Sequence, residues 1–111
     1  MAFEIILAPK AVTALENLTV PVRTGVKEAL ERHLKHEPTK VSKSRIKRLR
    51  GLSQPQYRLR VGDIRVFYDV TETEVQVLAI ITKAEAQAWL DERGTPTKDD
   101  AASGGSGRNQ G

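Results

Sequence analysis

Cysteine is absent from the 111 residues. Disulfides, thiolate zinc sites and a cysteine nucleophile are thereby excluded, and the chain suits a reducing, cytoplasmic compartment. No apolar run approaches the roughly 18 residues that a membrane helix needs. The longest, Val77 to Ile81, suits a buried strand. The N-terminal MAFEIILAPK lacks a basic flank and meets Glu4 at once, so no secretory leader is expected. No histidine follows His36, and there is no Walker phosphate loop, no HExxH and no GxSxG. His33 and His36 stand three apart without a third ligand, so they read as a solvated pair near a helix C-terminus, and no metal or cofactor is expected. Trp89, the only tryptophan, reads as a helix-packing residue rather than a base-stacking platform.

Positive charge, by contrast, is plentiful and concentrated. Lys40, Lys43, Arg45, Lys47, Arg48, Arg50, Arg58, Arg60 and Arg65 face a single acid, Asp63, between positions 40 and 65. That window carries +8, and the other nine basic and thirteen acidic residues bring the whole chain to +4. A concentrated basic segment on a near-neutral body suits a polyanionic partner. The competing reading is a solvated basic loop.

The residue pattern predicts one domain over 1–94 and a flexible tail over 95–111, where SGGSG resembles a linker. Phe3 to Leu7 reads as a strand. Pro9 then opens a short helix carrying Val12, Leu15 and Leu18. A second helix starts at Thr19 with Pro21 inside its first turn. Its apolar stripe is Val22, Val26, Leu30 and Leu34, and Pro38 stops it. Residues 37–56 hold the basic run and the breakers Pro38, Gly51 and Pro55, and read as a loop with a short helical turn over Lys43 to Leu49. Three strands follow in hairpins, then a helix from Lys83 to Glu92 with Gly94 as its C-cap. The expected class is α+β, in the order β-α-α-β-β-β(-α), with the two N-terminal helices on one face of a small antiparallel-rich sheet.

The first hairpin can be registered from sequence. Gly62-Asp63 is a two-residue turn of the primed class between two alternating segments. It pairs Val61 with Ile64, Arg60 with Arg65, Leu59 with Val66, Arg58 with Phe67 and Tyr57 with Tyr68. One face is then apolar and must be core. The other gathers Arg58, Arg60 and Arg65 around Phe67. Like charges directly opposite are destabilising, so the trio needs an anion or carboxylates. Asp63 and Asp69 are the candidate partners. Arginine forks match phosphate geometry, and this favours an anion site.

The string from Tyr57 to Tyr68, YRLRVGDIRVFY, preceded by Arg48-Leu49-Arg50-Gly51, resembles the RelE/ParE superfamily of bacterial type II toxins. The resemblance runs from Ala2 to about Leu90. It implies a toxin neutralised by a cognate antitoxin. In the RelE-like branch such toxins cleave mRNA in the ribosomal A site, and in the ParE-like branch they poison DNA gyrase without catalysis. For the cleaving branch it implies a metal-independent endoribonuclease whose catalytic groups are Arg58, Arg60, Arg65 and, after the last strand, Lys83. Glu85 is an alternative base. Lys43, Arg45, Lys47, Arg48 and Arg50 are the expected RNA-binding residues, with mRNA and the ribosome as partners and no membrane. The sequence departs from the nuclease pattern at Ala84, where an arginine is expected, and at Trp89-Leu90, near the usual tyrosine. A basic nucleic-acid-binding module of degenerate activity is the remaining alternative.

Overall fold

A computed structural model describes residues 2–97. Of the expected tail over 95–111, Thr95 and Pro96 form a short strand, and residues 98–111 lie outside the described residues. Strand β1 (Glu4–Leu7) leads into helix α1 (Pro9–Asn17) and helix α2 (Val20–Ala29), which continues as one π-turn over Leu30–Leu34. Proline sits in the first turn of both helices, where its missing N–H costs nothing. Strands β2 (Ile46–Arg48), β3 (Leu52–Gln54), β4 (Tyr57–Val61), β5 (Ile64–Val70) and β6 (Glu74–Thr82) follow. Helix α3 (Lys83–Arg93) and the short strand β7 (Thr95–Pro96) complete the described chain.

The main sheet has the order β1-β6-β5-β4-β2. It is antiparallel except for β1, which runs parallel to β6 with Glu4 opposite Glu74. The helical pair carries the chain from one edge strand to the other. It buries Ala11, Leu15, Val26, Ala29, Leu30 and Leu34 against Ile46, Leu59, Val66, Tyr68, Val75 and Val77. This is the two-layer α+β arrangement that the order of elements predicts. Val22 of the expected stripe is exposed, at 42%. Tyr68 closes the core. Its hydroxyl donates to the Pro38 carbonyl at 2.6 Å, its ring stacks on Tyr57 with centroids 5.5 Å apart, and burial pushes its phenol up.

The β4–β5 register matches the expected pairing at every position, around a Gly62 with φ +58°. The β5–β6 ladder slips between Phe67 and Tyr68, so Tyr68 pairs with Val77 and Phe67 with Ala79. That bulge explains the unbroken apolar run of β6. Val75, Val77 and Ile80 join the helical core, whereas Ala79 lies beside Phe67 on the opposite face. A further point corrects the reading of residues 37–56, and Gly94 takes the expected C-cap position. Residues 43–49 form no helical turn: Ser42 Oγ accepts the N–H groups of Arg45 and Ile46, and the chain then enters β2 as an edge strand beside β4. Gly94 has φ −68°, so its role is space rather than handedness: an added Cβ would stand 2.6 Å from the Leu90 carbonyl.

Candidate functional site

Strand alternation assigns the basic residues to faces. On the face away from α1 and α2, Lys47 of β2 stands opposite Arg58 of β4, which stands opposite Phe67. One row over, Arg60 is opposite Arg65, and Arg65 is opposite Ile81. The Arg60 N–H donates to the Arg45 carbonyl at 2.8 Å, so the second row begins at Arg45. Lys83 follows β6 directly, and its N–H donates to the Asp63 carbonyl at 2.8 Å. The first residue of α3 is therefore fixed beside the hairpin turn, at the same end as Arg60 and Arg65.

The expected carboxylate partners do not serve. Asp69 is buried, but its oxygens accept from Gln54 Nε2 at 2.6 Å and from the Gln56 N–H at 2.8 Å. Among the described residues, ion pairs join only Lys35 to Glu31 and Lys40 to Glu37. Among the described residues, no carboxylate thus comes within ion-pair distance of Arg58, Arg60 or Arg65. The three guanidinium groups meet one another instead. Burial, then Arg65 and Arg60, pull the Arg58 guanidinium below its ordinary value. The buried Nε–H of Arg58 has no hydrogen-bond partner.

The trio is not uniform. Arg60 is exposed and Arg58 half-buried. Arg65 is only 7% exposed, and its guanidinium donates to the carbonyls of Gly62 at 2.9 Å and Ile64 at 3.1 Å. It braces the turn as well as charging the face. The five loop cations also divide. Lys43 and Arg45 are exposed around the Ser42 turn, and Lys47 joins the arginine face. Arg48 lies on the other side of β2. It donates to the Gln56 carbonyl at 2.7 Å and stacks its guanidinium over Tyr57, 5.2 Å from the ring centre. Arg50 lines a cleft of about 470 Å³ with Lys47, Leu49, Leu52, Gln87, Leu90 and Asp91, between α3 and the β2–β3 segment.

Helix α3 lies against the arginine face. Trp89 stacks on Phe67 with centroids 5.2 Å apart and planes at 4°, and this is the packing role its sequence context suggests. No residue of α3 is buried. Its C-terminal end is held by pairing of β7 with β3. At its start, the Thr82 hydroxyl donates to Glu85 Oε1 at 3.0 Å. His33 is half-buried in the π-turn, not freely solvated, and lines a pocket with Arg32 and Arg45. Sequence reading missed three features: the opposition of Lys47 to Arg58, the bracing by Arg65, and α3 on this face. Only the first left a sequence signal, the β-branched Ile46 beside alternating cations.

The arrangement is a cationic sheet face without internal neutralisation, flanked by a cleft and a helix. Comparison with known proteins gives the family of the chain. The family model for the ParE toxin of type II toxin–antitoxin systems, parDE, matches residues 5–87. The chain belongs to this toxin family, within the RelE/ParE superfamily. Among solved structures, the archaeal RelE of the RelE–RelB complex from Pyrococcus horikoshii superposes with a TM-score of 0.62 at 26% identity, covering 75% of this chain and 97% of that one. An arginine-to-alanine double mutant of Escherichia coli RelE in the free state gives a TM-score of 0.62 at 24% identity, covering 83% and 94%. The toxin of the RelB–RelE complex from Methanococcus jannaschii gives 0.58 at 18% identity, covering 76% and 96%. No curated protein matches the chain in sequence.

Proposed function

We propose that this type II toxin is a RelE-like endoribonuclease that cleaves mRNA in the ribosomal A site, in the cytoplasm, and that a cognate antitoxin neutralises it. The observation that carries the reading is the uncompensated cluster of Arg58, Arg60 and Arg65, with Lys47 beside it. In cleavage by internal attack, the 2′-oxygen gives up its proton and attacks the adjacent phosphorus. The bond to the 5′-oxygen then breaks, and that oxygen takes up a proton. The phosphorane between these states carries two negative charges, and donors aimed at it lower the barrier. Arg60, exposed, and Arg58, half-buried beside it on the same face, are the donors for those charges. Arg65 holds the hairpin that spaces them. The ammonium of Lys83, at the start of α3, is the donor to the leaving oxygen, and Glu85 is the nearby carboxylate for the 2′-proton. Lys43, Arg45, Lys47 and Arg50 are the contacts to RNA backbone. Arg48 adds charge from the far side of β2.

The antitoxin half of the proposal draws support from the RelE–RelB complex that the archaeal relative forms. An acidic segment that orders on binding suits the basic surface. The test of the whole is mRNA cleavage on translating ribosomes by the wild-type chain and by Arg60→Ala. Site-specific cleavage that falls tenfold or more in the variant is expected. A ParE-like gyrase poison is the second reading, favoured by the match to the ParE toxin family and by Ala84. Inhibition of DNA supercoiling with intact mRNA selects it, and rejects the endoribonuclease.

A further inference from the structure

We infer that the pocket between the π-turn and the segment entering β2 is a second anion site, taking a phosphate of a nucleic-acid strand between Arg32, His33 and Arg45. The pocket has a volume of about 240 Å³. That is smaller than the roughly 300–1,000 Å³ of drug-sized ligand sites, and suits one phosphate with part of its sugar. Arg32 and His33 enter it from the π-turn, and Arg45 from the chain before β2. Glu37, Lys40 and Ser42 complete the polar wall. Helical π-turns are rare and concentrate at functional positions; here the turn places Arg32 and His33 side by side at the pocket.

The charge count leaves room for an anion. Glu37 is the only carboxylate in the wall, and it pairs with Lys40 at 3.7 Å. Arg32 and Arg45 have no carboxylate within ion-pair distance among the described residues. Ser42 Oγ accepts two backbone N–H groups, from Arg45 and Ile46, which leaves its own proton to donate. Burial, then Arg45 and Arg32, hold the His33 imidazole below its ordinary value. The Glu37–Lys40 pair is the other charge facing it. A phosphate between these cations removes the repulsion and favours the imidazolium, so binding takes up a proton.

The strand assignment comes from position. Arg45 lines this pocket, and its carbonyl receives the Arg60 N–H. A strand crossing the arginine face therefore reaches the pocket by passing over the edge strand β2. This inference rests on the reading that the toxin meets RNA, but not on cleavage. The experiment accordingly uses a 2′-O-methyl RNA oligonucleotide, which has no attacking hydroxyl, and inorganic phosphate as a second probe. The His33 ring resonances are followed by NMR, and oligonucleotide affinity is measured at about pH 6 and about pH 8, on either side of the ordinary histidine value.

Both probes should move the His33 ring and raise its titration midpoint. Affinity for the oligonucleotide should be severalfold higher at the lower pH. Arg32→Gln and Arg45→Gln should each weaken binding and lower the salt slope by about 0.7, the value for one single-strand phosphate contact. His33→Gln should abolish the pH dependence. Both arginines are exposed, so unfolding temperature should stay at the wild-type value, and Lys10→Gln on α1 is the control for loss of any one charge. If the oligonucleotide leaves the His33 ring unmoved, or if the arginine variants weaken binding no more than Lys10→Gln, the site is overturned. Movement with phosphate alone overturns the strand assignment and leaves a free-phosphate site. Loss of ribosomal cleavage with this binding intact would reject the endoribonuclease and keep the pocket.

Discussion

Arg60 and Arg65 are the same residue type on the same face, directly opposite each other, yet they do different work. Arg60 is exposed, whereas two hydrogen bonds brace the buried Arg65 to the turn. Arg60→Ala should leave stability within about 0.5 kcal/mol of wild type. It should reduce toxicity and ribosomal cleavage tenfold or more, on the scale of a lost transition-state donor. Arg65→Ala removes two hydrogen bonds from a buried guanidinium and relieves its like-charge contacts with Arg58 and Arg60. The hydrogen bonds outweigh the relief, and a loss of about 1 kcal/mol is expected in urea unfolding. Tyr68→Phe leaves the Pro38 carbonyl without its buried donor, so a loss of about 1–3 kcal/mol is expected by the same measurement. His33 supplies a pH signature. Its native value is held low, so the unfolded chain binds more protons near and below the ordinary histidine value. Stability should therefore be full above about pH 6.5 and fall as the solution is acidified through it. His33→Gln should flatten that descent in thermal scans at low phosphate.

Among the elements, α3 is the one whose placement matters most for access to the arginine face. It buries none of its residues and is held by the Trp89–Phe67 stack, the Lys83–Asp63 hydrogen bond and the β7–β3 pairing. Elements with few buried contacts open at low free-energy cost. Trp89→Ala should accelerate amide exchange across α3 and β7 while the amides of β5 and β6 keep their protection. Equal acceleration throughout would show α3 to be part of the global folding unit. The hairpin β4–β5 was legible from sequence because Gly62-Asp63 punctuates two alternating segments, and any slip of one residue would have put the arginines into the core. Strand β2 was illegible for the opposite reason. Ile46, Lys47 and Arg48 are too few to show a period, and two of them are cations. Only β4 beside them makes them a strand. The burial of Arg65 and the diversion of Asp69 to Gln54 and Gln56 likewise depend on neighbours distant in sequence. The basic trio could be found by register; its partners could not.

For the whole molecule, the +8 window becomes a surface that runs from the π-turn pocket over the edge strand β2 to the arginine rows. RNA affinity should fall steeply with salt, and substituting Lys43, Lys47 and Arg50 with Gln together should lower the slope by about 2. A flat salt response would rule out a backbone-reading surface. Arg48 should be left intact in that variant, because its hydrogen bond to Gln56 and its stack on Tyr57 tie β2 to the core.

The parallel pairing of β1 with β6 carries a consequence for synthesis. Glu4 finds Glu74 as its neighbour, so the edge strand β1 cannot dock until β6 has left the ribosome. Long-range closures of this kind are slow steps in folding, and a chain emerges at roughly 5–20 residues per second. The sheet is thus incomplete for most of the chain's own translation. A partner made nearby has that interval, on the order of seconds, to be waiting when the last strand arrives.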